Sequence, residues 1–401
     1  MASSSWSSPR VLVVLGNLAL NGQERGNIEV FNAVKAVGVE ALFVTHREWG
    51  HYHIQPFLDR LGINWTTLGY ARHFTKNMGL RRWGQNLGRL VTGSWAFWRT
   101  VRSYRPTHIH VANPHYYLCV LPALLMTRTP VVYRLGDEPT QHHLLYRALW
   151  RWCIVPRVQT FVCVSEHIRA KAIESGVPRG KTEVIYTHPA TRPASEPLEL
   201  PDFDGRTVTY IGQIAPHKGV GVLIDAALKV CRERDDVRFL IAGAVSRSNP
   251  FALALFAKVQ AAGFAERVRF LGYVQDVPGL LAASDLHVCP SVGPEALSNT
   301  VVEAKQAGVP SVVSASGGLP ELITQDVDGW VCDPITPETL RNAIAHFLGL
   351  SDKALEAAGQ EARSSMSRLG ITTEAFITHW AEVYGAPLPV AASEAERAMS
   401  A

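Results

Sequence analysis

The sequence predicts an α/β protein of two doubly wound, Rossmann-like parallel-sheet domains, and three observations carry that reading. Short apolar runs of strand length alternate with longer helical patterns along most of the chain. A proline-rich stretch interrupts this rhythm once, after which it restarts. At 401 residues the chain also exceeds what one hydrophobic core usually organises.

In the first half the strand-like runs fall at 11–15, 39–45, 108–111, 131–133, 160–164 and 184–186. Then come Pro189, Pro193, Pro197 and Pro201, which remove amide donors and break any regular element. The second series falls at 207–212, 238–242, 268–271, 286–288, 311–313 and 329–331, with helices such as 222–232 and 299–307 between them. This organisation predicts a first domain over 1–190, a linker over 191–200 and a second domain over 201–370. A C-terminal helix at about 371–388 is expected to rejoin the first domain, leaving 389–401 as a flexible tail. Ligands of such sheets bind at the carboxyl ends of the strands, so two facing domains would form a cleft.

Composition narrows the function classes. With 47% hydrophobic and 18% charged residues, the chain is neither disordered nor highly charged. Cys119, Cys153, Cys163, Cys231, Cys289 and Cys332 form no Cys-x-x-Cys pair and no histidine lies near them at metal-ligand spacing. They read as reduced core thiols of a cytoplasmic protein, and no metal is expected. Charge is divided unevenly: residues 1–200 hold 23 Lys and Arg against 12 Asp and Glu, residues 201–401 hold 16 against 23. A basic half suits an anionic partner such as a membrane surface, a lipid-linked phosphate or nucleic acid, and equally an ordinary solvated surface. No helix-turn-helix, zinc or RNP-like pattern accompanies it, so nucleic acid is not an expected partner. The run 11–20 follows a single Arg10 and contains a glycine, which favours a buried first strand over a signal peptide. No stretch reaches the ~18 apolar residues of a membrane span. Any membrane contact would be peripheral, at the inner face.

The richest segment is Tyr210-Ile-Gly-Gln-Ile-Ala-Pro-His-Lys-Gly-Val, a buried strand opening into a loop and then a helix with Val222, Leu223, Ala226, Ala227 and Val230 inward. Lys218 sits where that helix begins, so its ammonium and the helix-terminal amides converge on one anion. Downstream, Gly293-Pro-Glu-Ala-Leu-Ser-Asn puts Glu295 in a strand-to-helix loop and Glu303 inside the helix. Ser298 is the expected N-cap, and Gly308 the expected C-terminal glycine. Paired carboxylates beside a diphosphate would repel it, so their useful partners are sugar hydroxyls. By spacing alone, each glutamate reads sooner as a helix-surface charge, and Lys218, if its segment stood alone, as a surface lysine after a turn.

The Gly-x6-Gly segment with Lys218, the Glu295/Glu303 pair and Gly317–Glu321 together resemble the donor-domain signature of family four retaining glycosyltransferases, which have the two-domain GT-B architecture. The resemblance covers most of 207–335; Gly22-Gln-Glu-Arg, His108-Ile-His-Val and Val164-Ser165-Glu166 resemble first-domain features more weakly. It implies that the first domain faces the acceptor and the second holds a UDP- or GDP-linked sugar. Lys218 would hold the donor diphosphate, Glu303 the ribose and Glu295 the transferred sugar. Gly212, Gln213, Ser298 and Asn299 would line the same site, while Gly317 and Gly318 would permit close backbone approach. Tyr273 and Val274 stand where the base is read, and Gly22 would face the phosphates. Retention of anomeric configuration without a metal or cofactor follows from the same resemblance. The one Asp-x-Asp string, Asp202-Phe-Asp204, reads as a turn.

Two departures bear on catalysis. The family commonly has arginine at Gln213 and histidine at Gly136. An ion pair is worth about 4 kcal/mol at 4 Å and an effective dielectric of 20, a neutral hydrogen bond about 1 kcal/mol net, so losing a cation weakens a phosphate clamp. Arg134 is a candidate substitute, and Asp137, His142 or His143 are candidates for the missing polar contact. With both departures, a nucleotide-sugar-binding pseudoenzyme is the alternative. A nucleotide-sugar epimerase is disfavoured by the glutamate pair, and a dinucleotide oxidoreductase by the spacing of Gly16, Gly22 and Gly26.

The acceptor, a glycan, lipid-linked or small-molecule hydroxyl, belongs to the first half. There Arg81, Arg82, Trp83, Arg89, Trp95, Phe97, Trp98, Arg99, Arg102 and Arg105 cluster around a helical stretch. Either these residues meet lipid headgroups, or Leu87, Val91, Trp95 and Trp98 form a core face. The same two readings hold for Tyr146, Arg147, Trp150, Arg151 and Trp152.

Overall fold

A computed structural model describes residues 8–15, 22–47, 54–69, 80–112, 114–139, 144–188, 198–244 and 249–388. Gly16, His142, His143, the prolines 189, 193 and 197, the side chains of Arg82 and Trp83, and the tail from 389 lie outside the described residues. The chain forms two compact units, Met1–His188 with Thr372–Ala401, and Pro189–Ile371.

The first unit is built on a seven-stranded sheet of β1 (Arg10–Val14), β2 (Glu40–His46), β3 (Asn64–Leu68), β4 (His108–Val111), β5 (Val131–Leu135), β6 (Thr160–Cys163) and β7 (Thr182–Val184). Its order is β3-β2-β1-β4-β5-β6-β7 and every pair is parallel. The second holds β8 (Arg206–Ile211), β9 (Val237–Ala242), β10 (Val268–Gly272), β11 (Leu286–Cys289), β12 (Ser311–Ser314) and β13 (Gly329–Cys332). Their order is β10-β9-β8-β11-β12-β13, again wholly parallel. Central strands such as Val11 to Val14 and Phe239 to Ala242 are buried throughout, because helices cover both faces of a parallel sheet. The direction of winding reverses between β1 and β4 and between β8 and β11, the switch points at which such sheets bind ligands.

The two first-unit edges differ from the sequence expectation. β3 reads Asn-Trp-Thr-Thr-Leu with only Leu68 buried, and an edge strand of that kind lacks the apolar run that marks an interior one. β7 lies two residues before the expected 184–186, also at an edge.

The C-terminal helix Thr373–Tyr384 inserts Phe376, Trp380 and Tyr384 into the first unit's core, against Phe31 and Val13. Tyr384 Oη lies 2.7 Å from His110 Nδ1, while His110 Nε2 is 2.9 Å from Asn27 Oδ1. Asn27 donates its amide to the Gln23 carbonyl at 2.7 Å, which aims Oδ1 at the ring. His110 is therefore a neutral imidazole protonated at Nε2, accepting from the tyrosine at Nδ1.

Burial holds His110 down to about 3, with the charge of Arg134 adding to the effect, and burial alone holds His287 on β11 down to about 3. In the unfolded chain each returns to its ordinary 6.5. Between those two values the unfolded state binds more protons, so stability is complete above pH ~6.5 and falls as the solution is acidified. We expect the urea midpoint to drop between pH 7 and 5, with up to about 1.4 kcal/mol lost per pH unit for each histidine below pH ~6.5. A midpoint that does not move would exclude this.

Helix Leu80–Tyr104 settles the two readings of its aromatic stretch against a core face formed by Leu87, Val91, Trp95 and Trp98. Phe97, Val101, Asn86 and Ser94 are the buried side, whereas Leu87, Val91 and Trp95 are exposed and Trp98 is half-buried. In the later segment Trp150 is buried and Trp152 exposed. Five cysteines are buried, but Cys153 is only half-buried; all six are free thiols.

Candidate functional site

In the second unit, β8 is followed by Gly212, an exposed Gln213 and the tight turn Pro216–Lys218. Gly219 closes that turn at φ +70° and opens helix Val220–Glu233. A Cβ at Gly219 would stand 1.8 Å from the Pro290 carbonyl oxygen, so only glycine lets this turn lie against the end of β11. The His217 carbonyl accepts the amides of Val292 and Gly293 at 3.0 and 2.9 Å, fastening the two loops together.

This fastening brings Lys218 and Glu295 together at the switch point. Lys218 Nζ donates to Glu295 Oε2 at 2.6 Å, and Ser291 Oγ donates to the same oxygen at 2.9 Å. Both side chains keep a solvent-facing part, 27% for Lys218 and 15% for Glu295. An ammonium has three donors, so the pairing leaves others for an arriving anion, beside a helix start whose first amides have no intrahelical acceptor. Ser291 was not singled out in the sequence; its only signal is its place directly after the strand and proline.

A third loop holds the glutamate from behind. Gly318 N donates to the Glu295 carbonyl at 2.8 Å, Ser316 Oγ to Gly293 O and Ser314 Oγ to Ser291 O, each at 2.6 Å. Gly317 has φ +58°, and a Cβ there would lie 1.9 Å from Glu295 O. The close approach expected at Gly317 is thus an approach of the protein's own backbone.

Helix Asn299–Ala307 carries Glu303, which is buried, and starts at Asn299. Ser298 occupies the N-cap position without capping: its hydroxyl pairs with Thr300 Oγ1 at 3.1 Å, which corrects the expected cap. Gly308 ends the helix in the left-handed region, as its sequence position predicts. Two residues after Glu303, Lys305 is fully buried and donates to Asp328 Oδ2 and Ser365 Oγ, each at 2.7 Å. No local pattern marks this anchor, whose partners lie 23 and 60 residues away. Tyr273 and Val274 follow β10, two strands from β8; the Tyr273 ring is exposed and Val274 packs against the cluster of Leu240, Ala242 and Leu280. Asp202 and Asp204 precede β8, at its amino end, whereas Lys218 follows its carboxyl end.

In the first unit, Gly22 is the exposed first residue of helix Gly22–Val34. Gln23 Nε2 donates to Ala112 O, just after β4, at 2.8 Å. Arg134 on β5 is buried, and its guanidinium lies against Gly26, where a Cβ would come within 2.9 Å of Nη2. Burial lowers Arg134 to about 10, opposed by the carboxylate of Asp137, so it stays charged at neutral pH. Asp137 itself is exposed. A Cβ at Gly136 would meet Gln23 and Arg134 at ordinary contact distances of 3.5 to 3.7 Å, so this position has room for a side chain.

Among known proteins, residues 20–188 match Glycosyltransferase Family 4 and residues 205–349 match Glycosyl transferases group 1, which together take in most of the chain. A D-inositol 3-phosphate glycosyltransferase of Segniliparus rotundus is 31% identical over 39% of this chain and 34% of its own length. Two further curated relatives are spanned over 28% and 62% of their lengths. A lipopolysaccharide core biosynthesis mannosyltransferase of Rhizobium leguminosarum is 25% identical over 76% of this chain and 83% of its own. The structure of Anabaena HepE in complex with UDP and glucose superimposes with a TM-score of 0.76 at 19% identity, covering 94% of this chain and 99% of that one. It shares the fold, the GT-B architecture of two parallel-sheet domains.

Proposed function

Since the chain belongs to glycosyltransferase family four, we propose that it moves a sugar from a UDP- or GDP-linked donor to a hydroxyl acceptor, with retention at the anomeric carbon and without a metal. The observation that carries this reading is the Lys218–Glu295 pair at the carboxyl ends of β8 and β11, the switch point of the second sheet. Lys218 and the first amides of helix Val220–Glu233 bind the diphosphate and stabilise its charge as the C1–O bond breaks toward an oxocarbenium-like state. Glu295, drawn away from Lys218 when the diphosphate arrives, accepts from hydroxyls of the transferred sugar, and Glu303 from the ribose. Arg134, charged and buried in the first unit, takes the part of the histidine that Gly136 lacks.

The position of Asp202 and Asp204 at the far end of β8 supports the metal-free reading. The mannosyltransferase names of the relatives support a sugar or lipid-linked acceptor, and the UDP and glucose of Anabaena HepE support a nucleotide-sugar donor. Thermal denaturation in EDTA with UDP, GDP and ADP tests the donor site. One nucleotide at ~100 times its Kd should stabilise the protein by about 2.7 kcal/mol. No shift with any nucleotide, or a shift that requires added Mg²⁺, would overturn the respective part of the reading. Stabilisation without measurable transfer or donor hydrolysis would favour the pseudoenzyme, the reading that the neutral Gln213 and Gly136 leave in play.

A further inference from the structure

Helix Leu80–Tyr104 has a second apolar side that the fold does not use. Leu87, Val91 and Trp95 are 55%, 66% and 56% exposed and follow one another at four-residue intervals, along one line of the helix. Trp98 continues the line and stacks on Trp95 with ring centroids 5.1 Å apart, and the Arg102 guanidinium lies 5.1 Å over the Trp98 ring. From Leu87 to Arg102 this stripe is about 22 Å long. Arg81 and Arg99 are exposed beside it. Scattered exposed apolar residues are ordinary, but a continuous stripe flanked by cations is not.

The charge around it is one-sided. Between Leu61 and Ser165 the sequence has thirteen Lys and Arg and only two acids, Asp137 and Glu138. A second exposed group of the same kind follows β5: Leu144, Leu145 and Trp152 are 82%, 74% and 73% exposed, with Arg147 and Arg151 exposed among them. Right-handed crossovers put the connections β3 to β4 and β5 to β6, both running the same way across the sheet, on one of its sides.

We propose that this side of the first unit docks on an anionic lipid bilayer, with helix Leu80–Tyr104 lying in the plane of the headgroups. Leu87, Val91, Trp95 and Trp98 enter the interface, and Arg81, Arg99 and Arg102 meet lipid phosphates. Charge complementarity selects an anionic partner, and the aliphatic residues select a bilayer over a nucleic acid. Rings and arginines would serve either, but Leu87 and Val91 gain nothing from a phosphate backbone and leave water only in the acyl boundary. No helix among the described residues is long and apolar enough to cross a membrane, so the contact is interfacial. The inference stands independently of the proposed transfer reaction.

Flotation with vesicles of phosphatidylcholine, and of phosphatidylcholine with phosphatidylglycerol, tests it on the full chain. The wild type should float only with the anionic vesicles, and its tryptophan emission should shift to the blue. The triple variant Arg81→Glu, Arg99→Glu, Arg102→Glu should bind about 100-fold more weakly, and Leu87→Ser with Val91→Ser and Trp95→Ser about tenfold or more. All six side chains are exposed, so unchanged melting temperatures are expected; Trp95→Ser alone repeats the test should a triple variant melt early. A wild type that ignores anionic vesicles, variants that float as well as the wild type, or a preference for a single-stranded oligonucleotide over the vesicles would each overturn the proposal.

Discussion

Lys218→Ala is expected to lower kcat/KM for the nucleotide sugar by about 100- to 1,000-fold, the range found when one preorganised group is removed from developing negative charge. The ammonium at the mouth of helix Val220–Glu233 is a cation at the switch point of the second unit, while position 213, where the family resemblance implies arginine, holds an exposed Gln213. A neutral side chain there returns about 1 kcal/mol of hydrogen bonding, against about 4 kcal/mol for a charge at 4 Å and an effective dielectric of 20 before desolvation. The substitution also leaves Glu295, 15% exposed, with the Ser291 hydroxyl still donating to it but without the ammonium, and its carboxylate then faces the incoming diphosphate unneutralised. Two effects therefore act in one direction: the diphosphate loses a cation and meets an anion. The fold should tolerate the change, since Lys218 is more than a quarter exposed and Gly219 keeps the turn. Steady-state kinetics with the donor identified by thermal denaturation would check this, and a variant within threefold of the wild type would remove Lys218 from the site.

The interior of both sheets was legible in the sequence because central strands are covered on both faces and carry apolar runs such as Val11 to Val14 in β1 and Phe239 to Ala242 in β9. The edges were not: β3 has no such run, and its place depends on pairing with β2, which no local pattern records. The site was legible as residue types in order. Lys218 and Glu295 stand 77 residues apart in sequence, and the structure puts their charged atoms within 2.6 Å. What the sequence could not reveal is the lacing between loops. Ser291, the His217 carbonyl and the Lys305–Asp328 pair act through contacts fixed only by the completed fold. Ser298 shows the limit of a good local signal, since the hydroxyl of a serine at an N-cap position pairs with that of Thr300 instead. Helix Leu80–Tyr104 shows another: two apolar lines run along it, and composition alone did not say which the core would take.

Gly317→Ala is expected to destabilise the second unit by about 3 kcal/mol or more. Two independent costs add. The residue sits at φ +58°, which costs a non-glycine residue of order 1 kcal/mol. The new Cβ would also stand 1.9 Å from Glu295 O, a backbone atom that already accepts from Gly318 N at 2.8 Å and cannot swing aside as a side chain would. Relief requires the loop carrying Glu295 to move away from the loop after β12, so the carboxylate would leave Lys218 and Ser291. Transfer is therefore expected to fall further than the stability loss alone explains, with both effects visible below the melting temperature. Gly136→Ala is the matching control, because its Cβ meets only Gln23 and Arg134 at 3.5 to 3.7 Å and no positive φ restricts it. Its effect should stay within about 0.5 kcal/mol. Denaturant unfolding of the two variants separates the cases: equal midpoints would mean that the approach of Gly317 to Glu295 does not hold the glutamate loop in place.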